Sequence, residues 1–207
     1  MSAHIQKNKK THRELQKEET RRIILESAYR LFAELGYAKT TMRDLATDSG
    51  VGLGTVFKHF PDKSSLLVAA FEEDIQSVIE QGINSLPGED IFIQLRHLLH
   101  SLYSFYAKNQ LLSRALVKEA LFIEGPAGET IQAQAMNFLE GVGNLLQGGV
   151  TRGEIQPIEN HLDAVRGFWS FYLMGLTMGL REPQFDVEQQ VEMVGKLLQN
   201  HFPKVKK

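Results

Sequence analysis

Cysteine is absent from the 207 residues, which excludes disulfides and thiolate metal sites and fits a reducing compartment. Long hydrophobic runs are absent too. No stretch of about 18 uncharged apolar residues exists, so no membrane span is expected. The nearest approach, residues 167–180, is short and is followed by Arg181-Glu182-Pro183. The N-terminal MSAHIQKNKKTHRELQKEE is basic and polar without an apolar core, unlike a secretory signal. Sustained period-two alternation, internal repeats and low-complexity segments are also missing, which leaves little room for a sheet. Catalytic equipment is lacking as well: there is no nucleophile–base pair, phosphate loop or metal set, so neither an enzyme nor a cofactor is expected. Gly50, Gly52 and Gly54 follow no strand and complete no nucleotide-binding fingerprint. His97 and His100 have no further ligands at a known spacing, so no metal is expected.

What is present suits a soluble globular protein, with 43% hydrophobic and 23% charged residues. The formal net charge of −2 hides an asymmetry. Residues 1–66 hold 12 Lys and Arg against 8 Asp and Glu, a net +4, while residues 67–207 hold 11 against 17, a net −6. A basic front on an acidic body is the pattern of a DNA-facing module joined to one that faces something else.

Helical spacing runs through nearly the whole chain. Ile24, Ala28, Leu31, Phe32 and Leu35 form one stripe in a first helix over residues 14–35, stopped by Gly36. Thr41 and Asp44 read as a capping box opening a second helix, which ends at Ser49-Gly50. A third covers residues 53–59, where Pro61 prevents extension. A fourth starts at residue 62 or 63 and reaches about residue 85, and a fifth spans 90–108. A sixth ends at Gly125-Pro126, and a seventh over 127–147 closes at Gly148-Gly149. Asn160 and Asp163 open an eighth helix that ends near residue 181, and Asp186 with Gln189 opens a ninth that stops before Pro203. The expected fold is all-α with about nine helices. Its expected division is an N-terminal tail and three helices at residues 1–66, then a helical body at 67–207.

The most specific signal is TTMRDLATDSGVGLGTVFKHFPDKSSLL at residues 40–67. It reads as short helix, glycine turn, short helix, Pro-Asp break and long helix. That is the outline of a helix-turn-helix, which places its second helix in the DNA major groove. Leu45, Val51, Val56 and Phe60 are spaced to pack the second and third helices on the first. Thr55, Lys58, His59 and Lys63 are thereby expected on the exposed side, where hydroxyl, ammonium and imidazole groups suit phosphates and base edges.

Several elements at fixed offsets carry a family resemblance: Ile24 to Phe32, Gly36-Tyr37, Thr40-Thr41, Leu45-Ala46, Gly50-Val51, Gly54-Thr55, His59-Phe60, Lys63 and Leu66-Leu67. Together they resemble the N-terminal domain of the TetR family of bacterial transcriptional regulators. The resemblance implies that Thr41 and His59 hold phosphates, with Lys63 near the DNA backbone. It makes Arg43, Leu53, Thr55 and Lys58 candidates for base readout or its flank, and adds Thr40 and Phe57 to the DNA-facing set. Two positions depart from the family pattern. Gly52 stands where Ser is usual, so a hydroxyl cap is missing. Phe57 stands where Tyr is usual, which removes a phenol–phosphate hydrogen bond worth about 1.5–3 kcal/mol. Structural readings stand beside these roles: Thr41 as a helix cap only, His59 as a core-edge residue, Lys63 as helix-start solvation. Lys7, Lys9, Lys10 and Arg13 read as a solvated tail or as an arm along the DNA.

In the body, Phe168, Phe171, Gly175 and Gly179 lie on the eighth helix, and Val187, Val191, Val194 and Leu198 on the ninth. They read either as intrachain core or, as the resemblance implies, as a four-helix dimer interface that a palindromic site requires. Phe92, Tyr103, Tyr106, Phe122, Met136, Phe138, Trp169 and Tyr172 read either as core or as the lining of an effector pocket. The resulting expectation is a cytoplasmic bacterial repressor, homodimeric on palindromic double-stranded DNA and released by a small apolar or amphipathic effector. An effector-independent DNA-binding factor and a transcriptional activator are the alternatives.

Overall fold

The computed structural model describes residues 11–88 and 90–205. Lys7, Lys9 and Lys10 lie outside them. Among the described residues there are nine α-helices and no strand, only an isolated bridge between Ile155 and Lys204. The chain divides into two compact units, Met1–Ala70 and Phe71–Lys207.

The N-terminal unit is built from α1 (His12–Glu34), α2 (Met42–Ser49), α3 (Leu53–His59) and the start of α4 (Lys63–Asn84). Thr11 and Glu14 form a capping box that starts α1 at His12, two residues before the expected start at residue 14. Ile24, Ala28 and Phe32, four apart, bury one face of α1 against Leu45, Val56, Phe60, Leu66 and Leu67. Val51, expected in that core, is only half-buried. Asp48 on α2 accepts hydrogen bonds from Ser27 and Arg30 on α1, which ties the two helices together. Gly50 closes α2 at φ +67°, a left-handed conformation that disfavours any side chain.

The C-terminal unit holds most of α4 with α5 (Ile91–Ala107), α6 (Gln110–Ala120), α7 (Gly125–Thr151), α8 (His161–Arg181) and α9 (Val187–His201). Helix α5 buries Phe92, Leu95, Leu99 and Tyr103 at the centre, where α7, α8 and α9 meet it. The sixth helix ends at Ala120, short of the expected Gly125-Pro126, and α7 is longer than its glycines and proline suggested. Pro126 sits in the first turn of α7, where its missing N–H has no helical partner to lose. Gly148 and Gly149 lie inside the helix. An added Cβ on Gly149 would stand 3.1 Å from the Cβ of Ile91, so this glycine allows close packing rather than stopping the helix. The stop comes at Gly153, with φ +71°.

Asn160 caps α8, its side-chain oxygen accepting from the N–H groups of Leu162 (3.0 Å) and Asp163 (3.3 Å). Asn160→Ala is expected to cost about 1 kcal/mol. By thermal unfolding this lowers the melting temperature by roughly 2–4 °C.

Candidate nucleic-acid interface

The turn between α2 and α3 is short because Gly50 reverses the chain and Gly52 opens α3 through its backbone. The carbonyl of Gly52 accepts from Thr55 N–H (2.8 Å) and Val56 N–H (3.0 Å), and no side chain caps the helix. Val56 and Phe60 turn inward, 0% and 2% exposed. That fixes the opposite face of α3, where Gly54, Thr55, Phe57 and Lys58 are exposed. An added Cβ on Gly54 would meet nothing within 4 Å, so this face has a bare patch that a ligand backbone can approach closely. Leu53 and His59 are half-buried, and Thr41 and Arg43 are exposed on α2 and its cap.

Two expected contacts are corrected. Thr40 is fully buried, and its hydroxyl donates to the carbonyls of Gly36 (3.0 Å) and Leu31 (3.3 Å). It satisfies the end of α1 and has no surface to offer DNA. Lys63, expected on the exposed side, is half-buried. Its ammonium donates to the carbonyls of Tyr37 (2.8 Å) and Thr40 (3.0 Å) and stands 4.3 Å from the Tyr37 ring centroid. These carbonyls of the loop between α1 and α2, with the Tyr37 ring, draw it inward.

Thr41 is engaged in its capping box. Its hydroxyl donates to Asp44 Oδ2 (2.7 Å) while its oxygen accepts from Asp44 N–H (3.1 Å). The Thr41 hydroxyl and N–H hold the Asp44 carboxyl below the usual carboxylate range. Partial burial, then the charges of Lys17, Arg21 and Lys58, hold the His59 imidazole below the usual histidine range. Sequence reasoning missed Lys17 and Arg21. Arg21 lies 4.7 Å from the Phe60 ring centroid, and both lysine and arginine sit on α1 four residues apart. That i, i+4 spacing was visible, but its convergence on α3 was not.

In the C-terminal unit, most expected pocket residues are closed into an aromatic core. The Tyr103 hydroxyl donates to the Tyr172 carbonyl (2.9 Å), and the two rings stack at 5.7 Å. Phe138 meets Phe168 and Tyr172 at 6.0 and 6.3 Å. Burial pushes the hydroxyls of Tyr103, Tyr106 and Tyr172 upward, so all three stay neutral. Phe92 is buried as well, Trp169 is half-buried beside Tyr172, and Met136 is 57% exposed. Phe122 lies on a surface cleft between α6 and α8. A second cleft, between α4 and α7, is lined by Glu72, Glu73, Glu80 and Gln134.

The expected dimer residues need a similar correction. Phe168, Gly175, Gly179, Val191, Val194 and Leu198 are buried within the single chain, joining α8 and α9 to each other and to α5 and α7. They have no apolar surface left for a second copy to cover. Phe171 and Val187 are half-buried, with Phe171 edge-on to His201 at 5.5 Å.

An all-α chain whose N-terminal unit is a helix-turn-helix, with one polar and cationic helix face outward, defines a DNA-binding protein class. Residues 24–70 match the model of the bacterial regulatory proteins of the tetR family. The repressor KstR of Rhodococcus jostii (strain RHA1) is 26% identical over 184 residues, covering 87% of this chain and 82% of KstR. The regulator AcrR of Shigella flexneri is 32% identical over 117 residues, 55% of this chain and 52% of AcrR. In three dimensions, the TetR family repressor FadR of Thermus thermophilus, solved with lauroyl-CoA, has a TM-score of 0.71 at 21% identity, covering 90% and 96% of the chains. The chain is thus similar to the tetR family of bacterial regulatory proteins over its helix-turn-helix unit, and to the repressor KstR over most of its length. No helix among the described residues is long and apolar enough to cross a membrane.

Proposed function

We propose that the protein is a ligand-responsive repressor that binds a palindromic operator as a homodimer in the bacterial cytoplasm, without catalysing a reaction. The observation that carries this reading is the outward face of α3, with Thr55, Phe57 and Lys58 exposed around bare Gly54 and with Lys17, Arg21 and His59 alongside. Arg43, Leu53, Thr55 and Lys58 reach base edges or their flank, and His59 holds the backbone. Reading a palindrome requires two such helices about 34–36 Å apart. The second copy docks on the outward faces of α9 and of α8 before Thr177, where Leu173, Met174, Met193 and Leu197 are half-exposed. Helix α4, continuous from Lys63 to Asn84, links the reading head to the effector-binding body. Effector and DNA then oppose each other by a coupling of about 1–3 kcal/mol.

The test is anisotropy against the promoter adjoining the protein's own coding region, with sedimentation in parallel. Salt-sensitive, site-selective binding by a dimer is expected, together with monomers from a Leu173→Glu, Leu197→Glu double variant. Binding that ignores sequence, or a wild-type monomer, overturns the reading. A reporter that falls silent when the gene is deleted identifies an activator instead.

His59 adds a pH dependence. A DNA phosphate favours the imidazolium, so the bound-state pKa lies above the depressed value of the free protein. Binding therefore takes up a proton. Affinity rises as pH falls through the bound-state pKa and levels off below the free-state one, which itself lies under about 6.5. Titrations across pH should show this slope in the wild type and its loss in His59→Gln.

A further inference from the structure

The cleft between α6 and α8 has a volume of about 650 Å³, well within the range of ligand sites. Its lining divides into two chemistries. Val117, Leu121 and Phe122 supply apolar surface; Arg114, Lys118 and Arg181 supply positive charge, and no carboxylate is among the lining residues. Three of the 11 cations in residues 67–207 thus converge on one cleft, in a segment whose net charge is −6. Phe122 is 81% exposed and Leu121 47%, so large apolar side chains stand in water directly beside these cations.

Arg114 is fixed in place. It donates to the carbonyls of Leu180 and Glu182, the latter at 2.9 Å, and so caps the end of α8 from α6. Gln110 reinforces this joint, donating to the Glu182 carbonyl (2.6 Å) and accepting from Phe185 N–H (3.2 Å). A guanidinium already held by backbone presents its charge with little entropy left to lose. Among the described residues Lys118 has one loose ion-pair neighbour, Glu119 at 3.8 Å, and its side chain is 80% exposed, so an incoming anion displaces little.

We infer that this cleft binds an amphipathic anion, its apolar chain against Val117, Leu121 and Phe122 and its anionic head among Lys118, Arg181 and the anchored Arg114. The inference rests on the ligand-responsive reading above and names the class and place of the effector. An anion that draws on Arg114 competes with the carbonyls at the end of α8, and that competition couples the site to the α6–α8 joint.

The experiment uses the full-length protein and twelve-carbon probes below their aggregation threshold: dodecanoate, dodecanol and dodecyltrimethylammonium, with affinities read by calorimetry. Dodecanoate should bind at least about tenfold more tightly than the alcohol, and the cation should not bind measurably. Lys118→Glu with Arg181→Glu should weaken dodecanoate at least about tenfold. Dodecanoyl-coenzyme A as a further arm separates a carboxylate head from a phosphate-bearing one. Equal binding of the three probes, undiminished binding by the double variant, or no binding of either anion overturns the inference. Operator binding by the unliganded double variant is read in parallel. If it matches the wild type while no anion binds, this site fails and the DNA-reading function stands. If no operator is bound by either protein, the function itself fails.

Discussion

Lys58→Glu is expected to abolish site-selective DNA binding while leaving the melting temperature unchanged. Lys58 is exposed on α3, one turn from Gly54 and beside Thr55, on the side opposite buried Val56. Its loss removes a charge-assisted hydrogen bond worth about 1.5–3 kcal/mol. The proposed dimer carries two copies, so the loss is about 3–6 kcal/mol, or roughly 10²–10⁴ in affinity, before repulsion between the new carboxylate and phosphate is added. Lys108→Glu, an exposed change in the C-terminal unit, is the control for net charge. Anisotropy titrations at several salt concentrations check the result. Wild-type affinity for Lys58→Glu, or an equal loss for Lys108→Glu, would remove α3 from the reading role.

The second large effect is on stability. Gly175→Val places a branched side chain where a bare Cβ already overlaps the Tyr103 hydroxyl and stands 2.5 Å from the Val194 Cγ2. Both neighbours are fully buried, and neither is the free end of a flexible chain. Overpacking of this kind costs about 1–3 kcal/mol. Displacing Tyr103 from the Tyr172 carbonyl leaves a buried hydroxyl unpaired, at about 1–3 kcal/mol more. A fall in melting temperature on the order of 10 °C follows for a chain of this size. Calorimetry would measure it, with near-ultraviolet circular dichroism reporting on the stacked tyrosines. An unchanged melting temperature would mean that α8, α5 and α9 do not meet at this point.

Much of the fold was legible because its signals are local. Capping pairs such as Thr41 with Asp44, Asn160 with Asp163 and Asp186 with Gln189 act within one turn, so a short window of sequence suffices to find them. The third helix, Leu53–His59, was placed correctly, with Pro61 limiting its end, for the same reason. Gly148 and Gly149 misled because a glycine in a helix has two meanings. It ends the helix when its φ is positive, and it admits a neighbour when its φ is helical. Only the position of Ile91 tells these apart at Gly149.

The polar residues of the candidate interface show the same limit. Thr40 and Thr41 are adjacent hydroxyls of one chemistry, yet one is sealed under the end of α1 and the other is exposed. Lys58 and Lys63 are likewise one residue type in one motif, but the carbonyls of Tyr37 and Thr40 claim the second.

What the amino-acid order determined alone is therefore the helices, the helix-turn-helix within them and the inward placing of Ile24, Ala28, Phe32, Leu45, Val56 and Phe60. These follow from caps, turn glycines and apolar periodicity, all of which operate over a few residues. The tertiary structure alone decided which apolar faces of α8 and α9 are spent inside the chain, which aromatics close into core, and which cations gather at α3 or in the α6–α8 cleft. Those outcomes depend on residues far apart in sequence competing for the same neighbour, and periodicity along one helix carries no record of what that helix meets.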